Sequence, residues 1–235
     1  DRGIGQRDGT SAIVVNSSAK GSNVAADRGL AQRDATAVVR NPPAGGERVF
    51  YVIIDRVELG HHSGNAAFLK STRNIPVYGH AITVEKMTRR NKILPYQHYM
   101  WGTSSPLTMQ PLPDIITSDS VTLQPIHTPG HSKDHVVFFE EKNGWLFSGD
   151  LFLSERIKYF RSDERMKEQI DSLRKISQLD FQSLFCAHNP KPVDGKNRIA
   201  AKLRFLETLY GSIRELWLKG LSIDEITAHL PLKES

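Results

Sequence analysis

The chain has one cysteine, Cys186, in 235 residues. That excludes a disulfide framework, and with it the small secreted modules that depend on one. No apolar run approaches the ~18 residues a membrane-spanning helix requires, so an integral membrane protein is not expected. No charged-then-apolar leader opens the sequence, which begins on Asp1 rather than Met and so reads as a fragment or processed chain. A cytoplasmic location is the expectation. There is also no Lys/Arg block and no basic stripe with interleaved aromatics. The 31 Lys and Arg are spread among 26 Asp and Glu, leaving a net charge of +5. This reads as a mildly basic solvated surface, with neither nucleic acid nor membrane as partner.

Aromatic residues are missing from the beginning of the chain, where Phe50 is the first. Residues 1–48 are rich in Gly, Ala, Arg, Asp, Ser and Thr, and Lys20 is their only lysine. They also repeat. Asp1-Arg2-Gly3-Ile4-Gly5-Gln6-Arg7-Asp8 returns as Asp27-Arg28-Gly29-Leu30-Ala31-Gln32-Arg33-Asp34. Each copy leads into a β-branched run, Ala12-Ile13-Val14-Val15 and Ala37-Val38-Val39. Two copies are too few for a solenoid. A duplicated hairpin element and a poorly ordered or foreign segment are both compatible with this composition.

Beyond residue 48 the composition is that of a globular protein; over the whole chain 39% of residues are apolar and 24% charged. The division expected is the N-terminal segment 1–48, a core over 49–198 and C-terminal helices over 199–235. Strands are expected at Val49–Ile54, Ile75–Tyr78, Val121–Ile126, Val136–Phe139, Trp145–Ser148 and Phe181–Ala187. Helices are expected at Ala66–Thr72, Thr83–Arg90, Asp163–Gln178 and Ile199–Leu218, the last ended by Gly220. Residues 91–113 read as a loop. Glu141-Lys142-Asn143-Gly144 reads as a hairpin turn. Ser222 and Glu225, three apart, form a capping box that opens one more helix. Strands interleaved with helices indicate an α/β architecture.

The chemistry gathers in three places. Ile126-His127-Thr128-Pro129-Gly130-His131-Ser132 ends a strand in a turn that presents His131. Ser148-Gly149-Asp150 ends the second strand of the hairpin. Phe185-Cys186-Ala187-His188 places another histidine just past a buried strand. Two histidines and an aspartate at strand-to-loop transitions are ligands for Zn²⁺, Fe or Mn, and a site built from several strand ends leaves room for water.

These motifs resemble those of the metallo-β-lactamase-fold hydrolases over residues from about 50 to 232. His127–Ser132 resembles the superfamily's third metal motif, Ser148–Asp150 its fourth and Cys186–His188 its fifth. His62-Ser63-Gly64-Asn65 resembles the end of the second, His-x-His-x-Asp-His-x-Gly-Asn. The resemblance implies a four-layer αββα sandwich with metals at one edge between the sheets. It implies that His131 ligates a first metal, that Asp150 bridges two, and that His188 ligates the second. One or two Zn ions, or Fe or Mn in their place, would activate a water as hydroxide, with Asp150 orienting it and passing its proton to the leaving group. The implied activity is hydrolysis of an ester, thioester, lactam or phosphoester.

The second motif departs from the family. Its leading histidines fall on Val57 and Leu59, and its aspartate on His61. His62, Asp150 and His188 then make the best-supplied site, with His61 as a substitute ligand. A shifted register places Glu58 and His61 on the pattern of the flavodiiron relatives, but puts Arg56 and Gly60 where ligands belong. Two alternatives therefore accompany the hydrolase: a catalytically degenerate binding protein on the same scaffold, and a flavodiiron-like redox protein. His127 and His135 read as packing or surface residues, His80 as a loop histidine and Cys186 as a core residue. The C-terminal helices are expected to pack together or at a homodimer interface.

Overall fold

The computed structural model describes residues 76–89, 106–117, 121–157, 160–186 and 191–230 in full, together with the backbone of strands at 13–14, 36–41 and 49–54. The first sheet contains β1 (Ile13–Val14), β2 (Thr36–Asn41), β3 (Val49–Ile54), β4 (Val77–Gly79) and β5 (Gln110–Pro111), in that order. The two β-branched runs of the repeated segment thus pair with each other, and β2 pairs antiparallel with β3. β4 lies parallel to both β3 and β5. The second sheet runs β10 (Ser183–Cys186), β9 (Trp145–Gly149), β8 (Val136–Glu140), β7 (Thr122–His127) and β6 (Ile116–Thr117). The expected helix at 66–72 lies outside the described residues.

β8 organises the layers. All five of its residues are buried, and side chains alternate across a strand, so both of its faces are covered. Val136 and Phe138 pack with Ile116 and Leu123, and Tyr78 of β4 reaches the same cluster from the first sheet. Val137 and Phe139 belong to the larger core on the opposite face. There they meet Ile170, Leu173 and Ile176 of α2 (Met166–Ser177) and Ile199 and Leu206 of α3 (Gly195–Leu218). On the far side of β4 from Tyr78, a Cβ on Gly79 would meet Thr83 of α1 (Ala81–Met87). The order is therefore α1, first sheet, second sheet, then α2 and α3: the αββα sandwich.

Local sequence explains most boundaries. Pro125 sits inside β7 without harm because β6 pairs only with Thr122 and Leu123, leaving the proline on an open edge. Gly144 adopts φ 63° to close the β8–β9 hairpin, and its carbonyl accepts from the amides of Gln182 and Ser183, which brings β10 parallel to β9. α3 begins at Gly195, earlier than its apolar period indicates, because its first turn is polar and closely packed. A Cβ on Gly195 would stand 2.7 Å from the Leu184 side chain. Gly220, at φ 82°, terminates that helix. Ser222 and Glu225 form both hydrogen bonds of a capping box opening α4 (Ile223–His229). β5 falls in the segment expected as loop; it is exposed and carries a proline, so its backbone pairing has no periodic signature.

Among the described residues no helix is long and apolar enough to cross a membrane. Replacing Leu173, fully buried in the larger core, by Ala is expected to destabilise the fold by about 2–5 kcal/mol in urea denaturation. Trp217→Ser, at a position 61% exposed, is expected to change stability by less than ~0.5 kcal/mol.

Candidate metal centre

β7 and β9 both run antiparallel to β8, so they point the same way, and β10 is parallel to β9. The C-terminal ends of all three strands therefore meet at one edge of the second sheet. The first sheet contributes there as well, since His80 just past β4 stacks on His127 at the end of β7, with ring centroids 4.1 Å apart. His80 accepts the Ile82 amide and caps α1. Burial, and then the neighbouring His127, lower its pKa.

After β7 the chain makes a tight turn against α2. Gly130 has φ 133°, and a Cβ there would stand 2.4 Å from the backbone nitrogen of Gln169. Glycine is thus required both by conformation and by space. The Gly130 carbonyl accepts the Arg165 amide at 2.8 Å, and Ser172 donates its hydroxyl to the Pro129 carbonyl at 2.7 Å. Across the loop, Thr128 and His135 join through backbone and side chain, Oγ1 to Nδ1 being 2.9 Å. His135 is fully buried, and His127 bonds the Lys133 carbonyl through Nε2.

This turn buries the His131 ring, whose Nδ1 lies 2.6 Å from Oε1 of Glu164. Its Nε2 faces Oδ2 of Asp150 at 3.5 Å, and both side chains are buried. Asp150 follows Gly149, which takes φ 49°, in a turn closed by the Leu151 amide bonding the Ser148 carbonyl at 3.0 Å. Lys202 of α3 holds that turn from beneath, donating from Nζ to the Leu151 carbonyl at 2.6 Å. Burial lowers the Lys202 pKa from 10.5 to about 8, opposed by the negative charges of Glu164 and Asp150.

The spacing of His131 and Asp150 bears on the expected metal. A separation of 3.5 Å is long for an N–H···O bond. Two ligand atoms bound tetrahedrally at ordinary zinc distances would stand about 3.4 Å apart. An imidazole nitrogen and a carboxylate oxygen facing each other across that interval fit two donors to one ion. Glu164 binds the opposite ring nitrogen and so lies outside the donor set. Among the described residues no group of three or more His, Cys, Asp or Glu forms a complete metal cluster. His61, His62 and His188, and with them Val57, Glu58 and Leu59, lie outside the described residues. The structure thus brings together His131 and Asp150 of the expected ligands.

A family model for the metallo-beta-lactamase superfamily matches residues 62–222. The chain belongs to the metallo-β-lactamase superfamily. This member is 39% identical over 72 residues to the beta-lactamase-like protein 2 homolog of Drosophila melanogaster, covering 31% of the chain and 23% of that protein. It is 29% identical over 89 residues to the atrochrysone carboxyl ACP thioesterase AacuM of Aspergillus aculeatus, covering 38% and 28% respectively. The match spans about a quarter of the length of these relatives. Among solved structures, Rm3 metallo-beta-lactamase superposes with a TM-score of 0.50 at 14% identity, covering 74% of this chain and 87% of that one. At that identity the likeness concerns the fold.

Sequence reasoning passed over Glu164 and Lys202. Lys202 left a readable signal: it interrupts the buried stripe of Ile199 and Leu206 on α3, where a lysine needs a partner. Glu164 left none, since an acid just before a helix reads as an ordinary first-turn residue.

Gly130→Ala is expected to destabilise the protein by more than ~2 kcal/mol in urea denaturation, because strain and overlap with α2 add. Lys202 generates a pH dependence. Unfolded, it keeps its proton up to about pH 10.5; folded, only up to about 8. Between those values the unfolded chain binds more protons, so stability rises with pH, by on the order of 3 kcal/mol across the window. Below pH 8 the contribution is constant. Lys202→Met is expected to abolish the rise, measured as unfolding free energy from pH 7.5 to 10.5.

Proposed function

We propose that this protein is a metal-dependent hydrolase acting on an ester, thioester, lactam or phosphoester. The observation that carries the reading is the facing of His131 Nε2 and Asp150 Oδ2 at a buried sheet edge, at the separation of two ligands of one ion. A bound zinc or iron would supply Lewis acidity and lower the pKa of a coordinated water towards ~7. The chain's residues do the rest. His131 offers a neutral imidazole nitrogen. Asp150 offers a carboxylate with one oxygen towards His131 and orients the attacking water, taking its proton for the leaving group. Burial around both strengthens their electrostatic action. His62, His188 and His61 are the further donors proposed from the sequence. A small-molecule substrate suits the class, and the thioesterase among the relatives supports an acyl substrate, with thioesters the first to test.

A second reading, a scaffold of this fold without catalysis, is favoured by Val57 and Leu59 at the positions of the leading motif histidines. Metal content separates the two. The purified chain is expected to carry at least one equivalent of zinc or iron by elemental analysis and to hydrolyse members of a panel of acyl thioesters, aryl esters, lactams and phosphodiesters. Asp150→Asn is expected to lower kcat by about 10²–10⁴-fold. A folded wild-type chain that takes up no transition metal would establish the non-catalytic scaffold.

A further inference from the structure

We propose that Glu164 is a positioning residue, accepting the Nδ1 proton of His131 and so holding that ring with Nε2 turned towards Asp150 as a metal donor. The inference deepens the hydrolase reading and rests on it. It is carried by the 2.6 Å contact between His131 Nδ1 and Glu164 Oε1, in which side chains only 5% and 10% exposed meet. With a carboxylate oxygen as the acceptor, the imidazole donates from Nδ1. In a neutral imidazole this leaves the lone pair on Nε2, which faces Asp150.

The segment around Glu164 is built to keep it there. Its second oxygen accepts the Arg161 amide at 3.2 Å, and its own amide bonds the Arg161 carbonyl at 3.1 Å. The next residue, Arg165, donates its amide to the Gly130 carbonyl, one residue before His131. The acceptor and the ring it orients are therefore tied together by backbone as well as side chain. The turn at 161–164 and the turn at 128–131 come from distant parts of the sequence, and they meet through the Glu164–His131 bond and the bond from the Arg161 guanidinium to the His131 carbonyl. A carboxylate behind a ligating imidazole also makes its other nitrogen a stronger donor, and such partners typically change metal affinity by about 10–100-fold when removed.

The test uses zinc binding to the metal-depleted chain by competition with a chromophoric chelator, alongside the nitrogen chemical shifts of His131 by NMR before zinc is added. Glu164→Ala is expected to weaken zinc binding by about 10–100-fold and to shift His131 away from the Nδ1–H tautomer. Glu164→Gln, whose amide oxygen still accepts that proton, is expected to retain the tautomer and lose less affinity. This variant carries the test if Glu164→Ala does not fold, through its weaker zinc binding and an upfield Nδ1 proton. A Glu164 that merely braces the turn would lower thermal stability with zinc affinity and tautomer unchanged, and that result overturns the assignment alone. A folded wild-type chain that takes up neither zinc nor any other transition metal overturns it together with the hydrolase reading.

Discussion

The contact between the Pro129-Gly130 turn and the first turns of α2 is the constraint on which the site depends. Backbone meets backbone there, with a glycine conformation and no room for a Cβ. Because the approach is so close, the Gly130 carbonyl reaches the Arg165 amide and Ser172 reaches the Pro129 carbonyl. The same approach brings Glu164 to His131. Moving α2 outward by the width of a methyl group would open these contacts together, since packed interfaces do not deform gradually. The core beneath, where Ile170, Leu173 and Ile176 of α2 meet β8, therefore stabilises the fold and also sets where His131 stands.

Charge is the second theme. Within one buried region lie His131, Asp150, Glu164 and Lys202, so that two carboxylates face one ammonium and one imidazole. Isolated charges are expensive in such surroundings, and they persist where each has a partner. Lys202 is satisfied by a carbonyl and by the field of both acids, yet burial still lowers its pKa. Two acids flanking one imidazole make a place where positive charge is welcome, which suits the cation that the superfamily's chemistry employs.

Membership of the superfamily and the sandwich fold make the strand ends the natural place for chemistry. Three strands of the second sheet finish at one edge, and the stacked His80 and His127 bring the first sheet to it. The fold hosts more than one reaction, so the substrate depends on the side chains around that edge.

Much of the second half was legible from local signals. The apolar run of β8, the Asn143-Gly144 turn, the period of α2 and the Ser222–Glu225 capping box each depend on neighbours within a few residues, and local sequence determines them. The meeting of His131 and Asp150 was expected from ligand side chains at successive strand ends and from family motifs; nineteen positions separate them, and the order of the strands makes them adjacent. Glu164, and the partners of Lys202, became visible only in the folded chain. Their roles come from partners 33 and 51 positions away, and a hydrogen bond across such an interval depends on how helices seat on a sheet. By itself, then, the sequence determined the elements, the α/β class and the residues able to bind a metal. The tertiary structure decided which nitrogen of His131 faces the site and which buried acid and amine hold it, because these follow from close packing between distant segments.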